Sequence, residues 1–163
     1  MAHCLKAIIG NDEVIADFSQ DWVRAKKVEL AQGFSLVKLI KKLLDDIHEL
    51  VNNKSEDPYK DFYYLSSSLH EILVRKSENT ALAYIETDYF GGSGTQAALL
   101  YENGIITTEP LKTEDEWDSK KQEYIQIPSG ARAVNFILKK MGVVCQDRLD
   151  EFDSIKLGSH RGL

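Results

Sequence analysis

The strongest periodicity in the chain lies between Ser35 and Val51. There Leu36, Leu39, Ile40, Leu43, Leu44, Ile47, Leu50 and Val51 recur at helical spacing. Ser35 suits an N-cap and Asn52-Asn53 a stop. Lys38, Lys41, Lys42, Asp45, Asp46 and Glu49 fill the opposite face, and Lys41/Asp45 and Lys42/Asp46 are spaced to pair along it. A second helix is expected after Asp57-Pro58, with Phe62, Leu65, Leu69, Ile72 and Leu73 on its buried side and Ser77-Glu78-Asn79 at its end. Ser129 introduces a third, whose stripe is Val134, Ile137, Leu138 and Met141 and whose end is Gly142.

The remaining apolar runs are short and bounded by turn residues, which is the pattern of strands. Cys4 to Ile9, the turn residues Gly10-Asn11-Asp12 and Glu13 to Phe18 read as a hairpin. Ser19 to Lys27 connects, with Trp22 and Val23 as buried anchors. Val28 to Ala31 reads as a third strand before Gln32-Gly33. Leu82 to Asp88 is rich in strand formers. Gln96 to Tyr101 reads as a returning strand, or Thr95 to Glu102 as a short helix closed by Gly104. Asn103-Gly104 directly before Ile105-Ile106-Thr107-Thr108 favours the strand, because that dipeptide makes tight hairpin turns. Glu109 to Lys121 is acidic and reads as a surface loop or a short helix around Trp117, and Tyr124 to Ile127 as a further strand. The tail docks through Leu149, Phe152, Ile155 and Leu157, with 158–163 frayed. Strands in hairpin clusters with helices between them define an α+β class: a mainly antiparallel sheet packed with about three helices, in a single domain over 1–163.

Composition narrows the function. The 163 residues are 43% apolar and 28% charged, enough for one core without disulfide or metal. A net charge of −6 argues against sequence-independent nucleic-acid binding, which depends on cationic side chains meeting phosphates. The same charge suits a protein partner with a basic surface. Cys4 and Cys145 form no metal-binding spacing and read as two buried thiols in a reducing cytoplasm. The first ten residues lack the apolar length of a signal peptide, and no run approaches the ~18 apolar residues of a membrane helix. The expected location is cytoplasmic, with no membrane association.

Candidate chemistry concentrates between Ala81 and Gly104. If Leu82 to Asp88 is extended, Tyr84, Glu86 and Asp88 share one face with Leu82, and Ala83, Ile85 and Thr87 face the core. Gly91, Gly92 and Gly94 permit unusual backbone and close approach of a ligand. Tyr89, Phe90 and Gln96 lie beside them. One reading is a groove in which Glu86 and Asp88 accept hydrogen bonds from a cationic group while Tyr89 and Phe90 supply flat apolar contact. The other is a long hairpin with a solvated outer face. GGSG is no phosphate loop, since no GK[ST] follows. Glu86 and Asp88 would stand ~7 Å apart on a strand, a spacing glycosidases use, but a small domain has little room for a sugar cleft. His3, His48, His70 and His160 share no ligand spacing, no serine sits in a GxSxG elbow, and neither cysteine has an adjacent base. No catalytic residue, metal or cofactor is therefore assigned. The stretches Glu114–Asp118 and Asp150–Asp153 each surround an aromatic, Trp117 or Phe152, with carboxylates. They read as amphipathic surface turns or as acidic patches with an aromatic anchor.

The segment YIETDYFGGSGTQAALLYENG, the Ser129–Val143 helix and DEFDSIKLG near the end resemble small acidic bacterial cytoplasmic proteins. Many such proteins serve as immunity proteins that block a toxin. The resemblance implies a non-enzymatic, protein-binding role and assigns no functional residues. The expected function is a cytoplasmic protein-binding domain of immunity type that neutralises a basic partner. The alternative is a small-ligand-binding domain or small enzyme with its groove at Glu86, Asp88, Tyr89 and Gln96.

Overall fold

The structure is a computed structural model that describes residues 3–160. Strand β1 (His3–Asn11) opens the chain, as its apolar run requires. The next segment is not a strand. Asn11 caps helix α1 (Asp12–Asp21), its side chain accepting from Val14 N at 2.9 Å, and Asp12 and Glu13 favour the positive end of the helix dipole. Val14, Ile15 and Phe18 sit on one helical face and are buried together. Of the anchors expected next, Trp22 is half-buried, and Val23 is almost wholly exposed.

β2 (Lys27–Glu29) and β3 (Phe34–Lys38) follow, so the periodic stretch from Ser35 divides in two. Its first residues form a strand, with buried Ser35 donating to Asp12 Oδ1 at 2.8 Å. The helix itself, α2, spans Lys41–Val51 and stops where Asn52 turns left-handed. Helix α3 (Ser67–Lys76) starts later than expected: Ser66 is its cap. Asp57 reaches the same helix end from a distance, accepting from Ser67 N at 3.1 Å. Residues 52–66 form an irregular segment folded across the sheet.

β4 (Ala81–Phe90) and β5 (Ser93–Glu102) make the longest ladder among the described residues, ten residues each. Phe90 pairs with Ser93, leaving Gly91 and Gly92 as a two-residue turn with φ of +64° and +91°, the left-handed conformations of a type I′ hairpin. Asn103-Gly104 makes the same kind of turn into the short β6 (Ile105–Ile106). The acidic stretch is neither loop nor helix. It is strand β7 (Leu111–Asp118), paired on one side with β5 and on the other with β8 (Glu123–Ile127). Helix α4 (Ala133–Lys140) is preceded by Arg132 rather than Ser129 as its N-cap residue, and a short α5 (Glu151–Ser154) and a 3₁₀ turn at Leu157–Ser159 complete the described chain. Of the tail expected to fray, 161–163 lie outside the described residues.

All pairings among the described residues are antiparallel, in the order β2-β3-β1-β4-β5-β7-β8 with β6 beside β5. Among the described residues, five helices pack with this eight-stranded sheet, confirming the α+β class. Helices cover both faces. On one, Phe18, Leu43, Ile47, Leu69 and Leu73 from α1, α2 and α3 meet Ile8, Val37, Tyr84, Leu99 and Tyr101. On the other, Val134, Ile137 and Leu138 of α4, with Ile155 and Leu157, meet Leu5, Ile9, Leu36, Ile85 and Leu100. Burial on both faces explains why β1 and the middle of β5 read as continuous apolar runs rather than alternating ones. Cys4 and Cys145 are both exposed, contrary to expectation. Among the described residues, no helix is long and apolar enough to cross a membrane.

Candidate functional site

The alternation expected along β4 is present, but the cover over it differs from expectation. Tyr84 and Glu86 lie on the face under α2, α3 and the 52–66 segment, and both are buried. Glu86 stands opposite Lys6 on β1 and Ala97 on β5. Its carboxylate accepts three hydrogen bonds: from Tyr84 Oη at 2.6 Å, Tyr64 N at 2.8 Å and Tyr63 N at 3.0 Å. Burial, reinforced by the neighbouring Glu86 carboxylate, pushes the Tyr84 phenol far above its ordinary range and keeps it a donor. Glu86 is thus the anchor that holds the irregular segment against the sheet. Tyr84 is sealed from solvent, while Glu86, largely buried by these contacts, borders the neighbouring cleft.

Asp88, two residues on, is exposed. It lines a cleft of about 250 Å³ between the sheet and the 61–64 stretch, with Lys6, Tyr63, Tyr64, Thr95 and Lys112. Lys6 Nζ sits 3.7 Å above the Tyr64 ring, a cation–π contact that closes one wall.

Tyr89 and Gln96 point to the opposite face. Gln96 Oε1 accepts from Val134 N at 3.0 Å and Thr113 Oγ1 from Ala133 N at 3.1 Å. These two side chains satisfy the first free N–H groups of α4, whose N-cap residue makes no side-chain cap bond. Arg132 bridges next to them, donating to Tyr89 Oη at 2.8 Å and to Asp115 Oδ1 at 3.0 Å, and Asp115 also accepts from Gly94 N at 3.1 Å. The side chains proposed from sequence as one groove therefore divide between two faces of the sheet, although Glu86, Asp88 and Gln96 all border the cleft and Tyr89 does not. Gly94 has a use unrelated to ligands: a Cβ there would stand 2.1 Å from the Asp88 carbonyl oxygen, so glycine lets β5 approach β4.

What the fold does gather in the open is at one end of the sheet. Phe90 is 81% exposed beside the Gly91-Gly92 turn. Trp117 and Tyr124 face each other across β7 and β8 with ring centroids 5.2 Å apart in an edge-on arrangement, and each is 56% exposed. Asp118 shapes the turn between them, its Oδ1 accepting from the N–H groups of Lys120 and Lys121. Sequence reasoning found Trp117 but missed Tyr124, Arg132 and Asp115. The spacing of Asp118 and Lys120-Lys121 as a turn was the available signal for the Trp117–Tyr124 pairing.

Elsewhere, His70 Nδ1 lies 2.8 Å from the Tyr101 hydroxyl, and burial holds its imidazole below the usual pKa. Among the described residues, no group of three or more His, Cys, Asp or Glu side chains could hold a metal ion. Comparison with protein-family models, curated proteins and solved structures finds no match. Geometry and charge alone carry the functional argument.

Proposed function

We propose that this chain is a non-enzymatic, cytoplasmic protein-binding domain of immunity type, whose partner presents a basic surface. One observation carries the reading: Trp117 and Tyr124 meet edge to face while both stay exposed, on a hairpin that also carries Glu114, Glu116, Asp118 and Glu123. Trp and Tyr supply much of the binding energy at protein interfaces, and surrounding carboxylates favour a cationic partner and speed its encounter. The net charge of −6 acts in the same direction. Nucleic acid and anionic membrane are disfavoured by the same carboxylates.

The test begins with capture of a partner by the intact chain, its identification, and titration of the two purified proteins. Trp117→Ala with Tyr124→Ala is expected to weaken binding at least about tenfold. If the partner is a toxin, co-expression of this chain restores growth of cells that produce it, and the double variant does not. A chain that captures no protein yet turns over a small substrate would overturn the proposal. The small-ligand reading has one observation in its favour, the cleft beside Asp88. It requires that Asp88→Ala abolish a thermal shift produced by a small cationic ligand.

A further inference from the structure

The two outer edges of the sheet differ in how they are protected, and the difference points to how a partner docks. An edge strand offers unpaired N–H and C=O groups to any extended chain, and proteins usually blunt such edges with short strands, lysines, prolines or bulges. β2 is blunted: it has three residues and starts at Lys27, which pairs with Asp12. The chain just beyond it is covered too, with Ala31 N donating to Ile155 O at 3.3 Å. β8 carries fewer of these devices: Pro128 follows it directly and ends the edge, but the strand itself is open. Its five residues, Glu123-Tyr124-Ile125-Gln126-Ile127, contain no lysine or proline and no left-handed residue, and among the described residues β7 is its one neighbour in the sheet.

The side chains flanking that edge are sorted by charge. Register places Glu114, Glu116, Asp118 and Glu123 on one face of the β7–β8 hairpin with Ile125 and Ile127. Lys112 pairs with Glu114 at 3.2 Å, and Asp118 serves the turn, so among the described residues Glu116 and Glu123 are left without partners. The other face carries Trp117, Tyr124 and Gln126, and its carboxylate, Asp115, is neutralised by Arg132. Lys120 and Lys121 lie in the turn, beyond the end of the edge.

We infer that the partner of this domain contributes an extended segment with Lys or Arg at alternate positions, which adds as a further strand alongside β8. Main-chain hydrogen bonds to the open edge supply affinity, and alternation supplies specificity. One set of side chains meets the carboxylate face; the other meets Tyr124. A second copy of this chain is the poorer occupant, because pairing β8 with β8 would bring two acidic faces together. The inference rests on the protein-binding reading and specifies its geometry.

The probe is an amidated eight-residue peptide of alternating lysine and valine, titrated into the intact protein while amide hydrogen exchange is followed. Binding with exchange slowed at least about tenfold within Glu123–Ile127, and weakened by Glu116→Lys with Glu123→Lys, is the expected result. The same peptide N-methylated at alternate residues on its pairing edge is expected to lose binding. Binding that leaves β8 exchange unchanged overturns strand addition while the protein-binding reading stands. Failure of the peptide to bind at millimolar concentration overturns the inference, and the captured partner then judges the broader proposal on its own. Slowed β8 exchange accompanied by dimers in sedimentation, without peptide, also overturns it in favour of self-pairing.

Discussion

The β4–β5 and β7–β8 hairpins are built alike and used differently. Each carries aromatic and acidic side chains on paired antiparallel strands. In β4–β5 both faces lie under helices, so Glu86 reaches three donors and Tyr84 is sealed. In β7–β8 helix cover has run out, and Glu116, Trp117 and Tyr124 stand in water. The same residue types thus build the interior in one place and an exposed surface in the other. What decides between them is the layer packed above, because a carboxylate is stable when buried only if its oxygens find donors.

The sharpest break of this contrast is a cavity in the covered hairpin. Leu99→Ala should cost ~2–5 kcal/mol by denaturant unfolding, since its side chain is fully buried between strand and helices. Glu86→Ala should cost about 3 kcal/mol, because the Tyr84 hydroxyl and the N–H groups of Tyr63 and Tyr64 lose their acceptor. Hydrogen exchange in residues 58–66 should accelerate in that variant; an unchanged melting curve would return Glu86 to the list of ligand-binding groups. Gln96→Ala should cost about 1 kcal/mol and fray the first turn of α4, readable as faster exchange at Val134.

A smaller effect is set by pH. Burial lowers the His70 pKa in the folded state relative to 6.5 when unfolded. The unfolded chain therefore binds the proton more readily, and stability falls as pH drops below about 6.5 until the folded imidazole also titrates. His70→Gln should flatten that part of the stability profile. Smallest of all, Trp117→Ala with Tyr124→Ala should change stability by about 1 kcal/mol or less, since both rings are exposed. A large loss of stability from this pair would mean that the open hairpin is structural after all, and the contrast would collapse.

Local chemistry was legible where it acts locally. Asn103-Gly104 announced its hairpin because a two-residue turn demands left-handed backbone, which few residues supply, whereas the glycine-rich bend after Asp88 proved tighter than its sequence suggested, with Phe90 already paired to Ser93. The stripes of α3 and α4 were visible in their spacing. Val14, Ile15 and Phe18 misled, because a short apolar run fits a strand or a helix equally, and the Asn11 cap decided for the helix. Phe34 to Lys38 was absorbed into the following periodicity for the same reason. The acidic Glu114–Asp118 stretch became a strand because β8 pairs along all of it and β5 holds the same strand from Leu111 to Glu114.

From the amino-acid order alone came the antiparallel α+β class, the tight turns and the sharing of one strand face by Tyr84, Glu86 and Asp88. All follow from short-range geometry: backbone conformations permitted at each residue and the period-two alternation of strands. Only the tertiary structure decided which of those side chains would be covered, that Gln96 would cap a helix 38 residues away, and that Trp117 would meet Tyr124 in the open. Cover depends on segments distant in the chain, and no local pattern states where a distant segment will land.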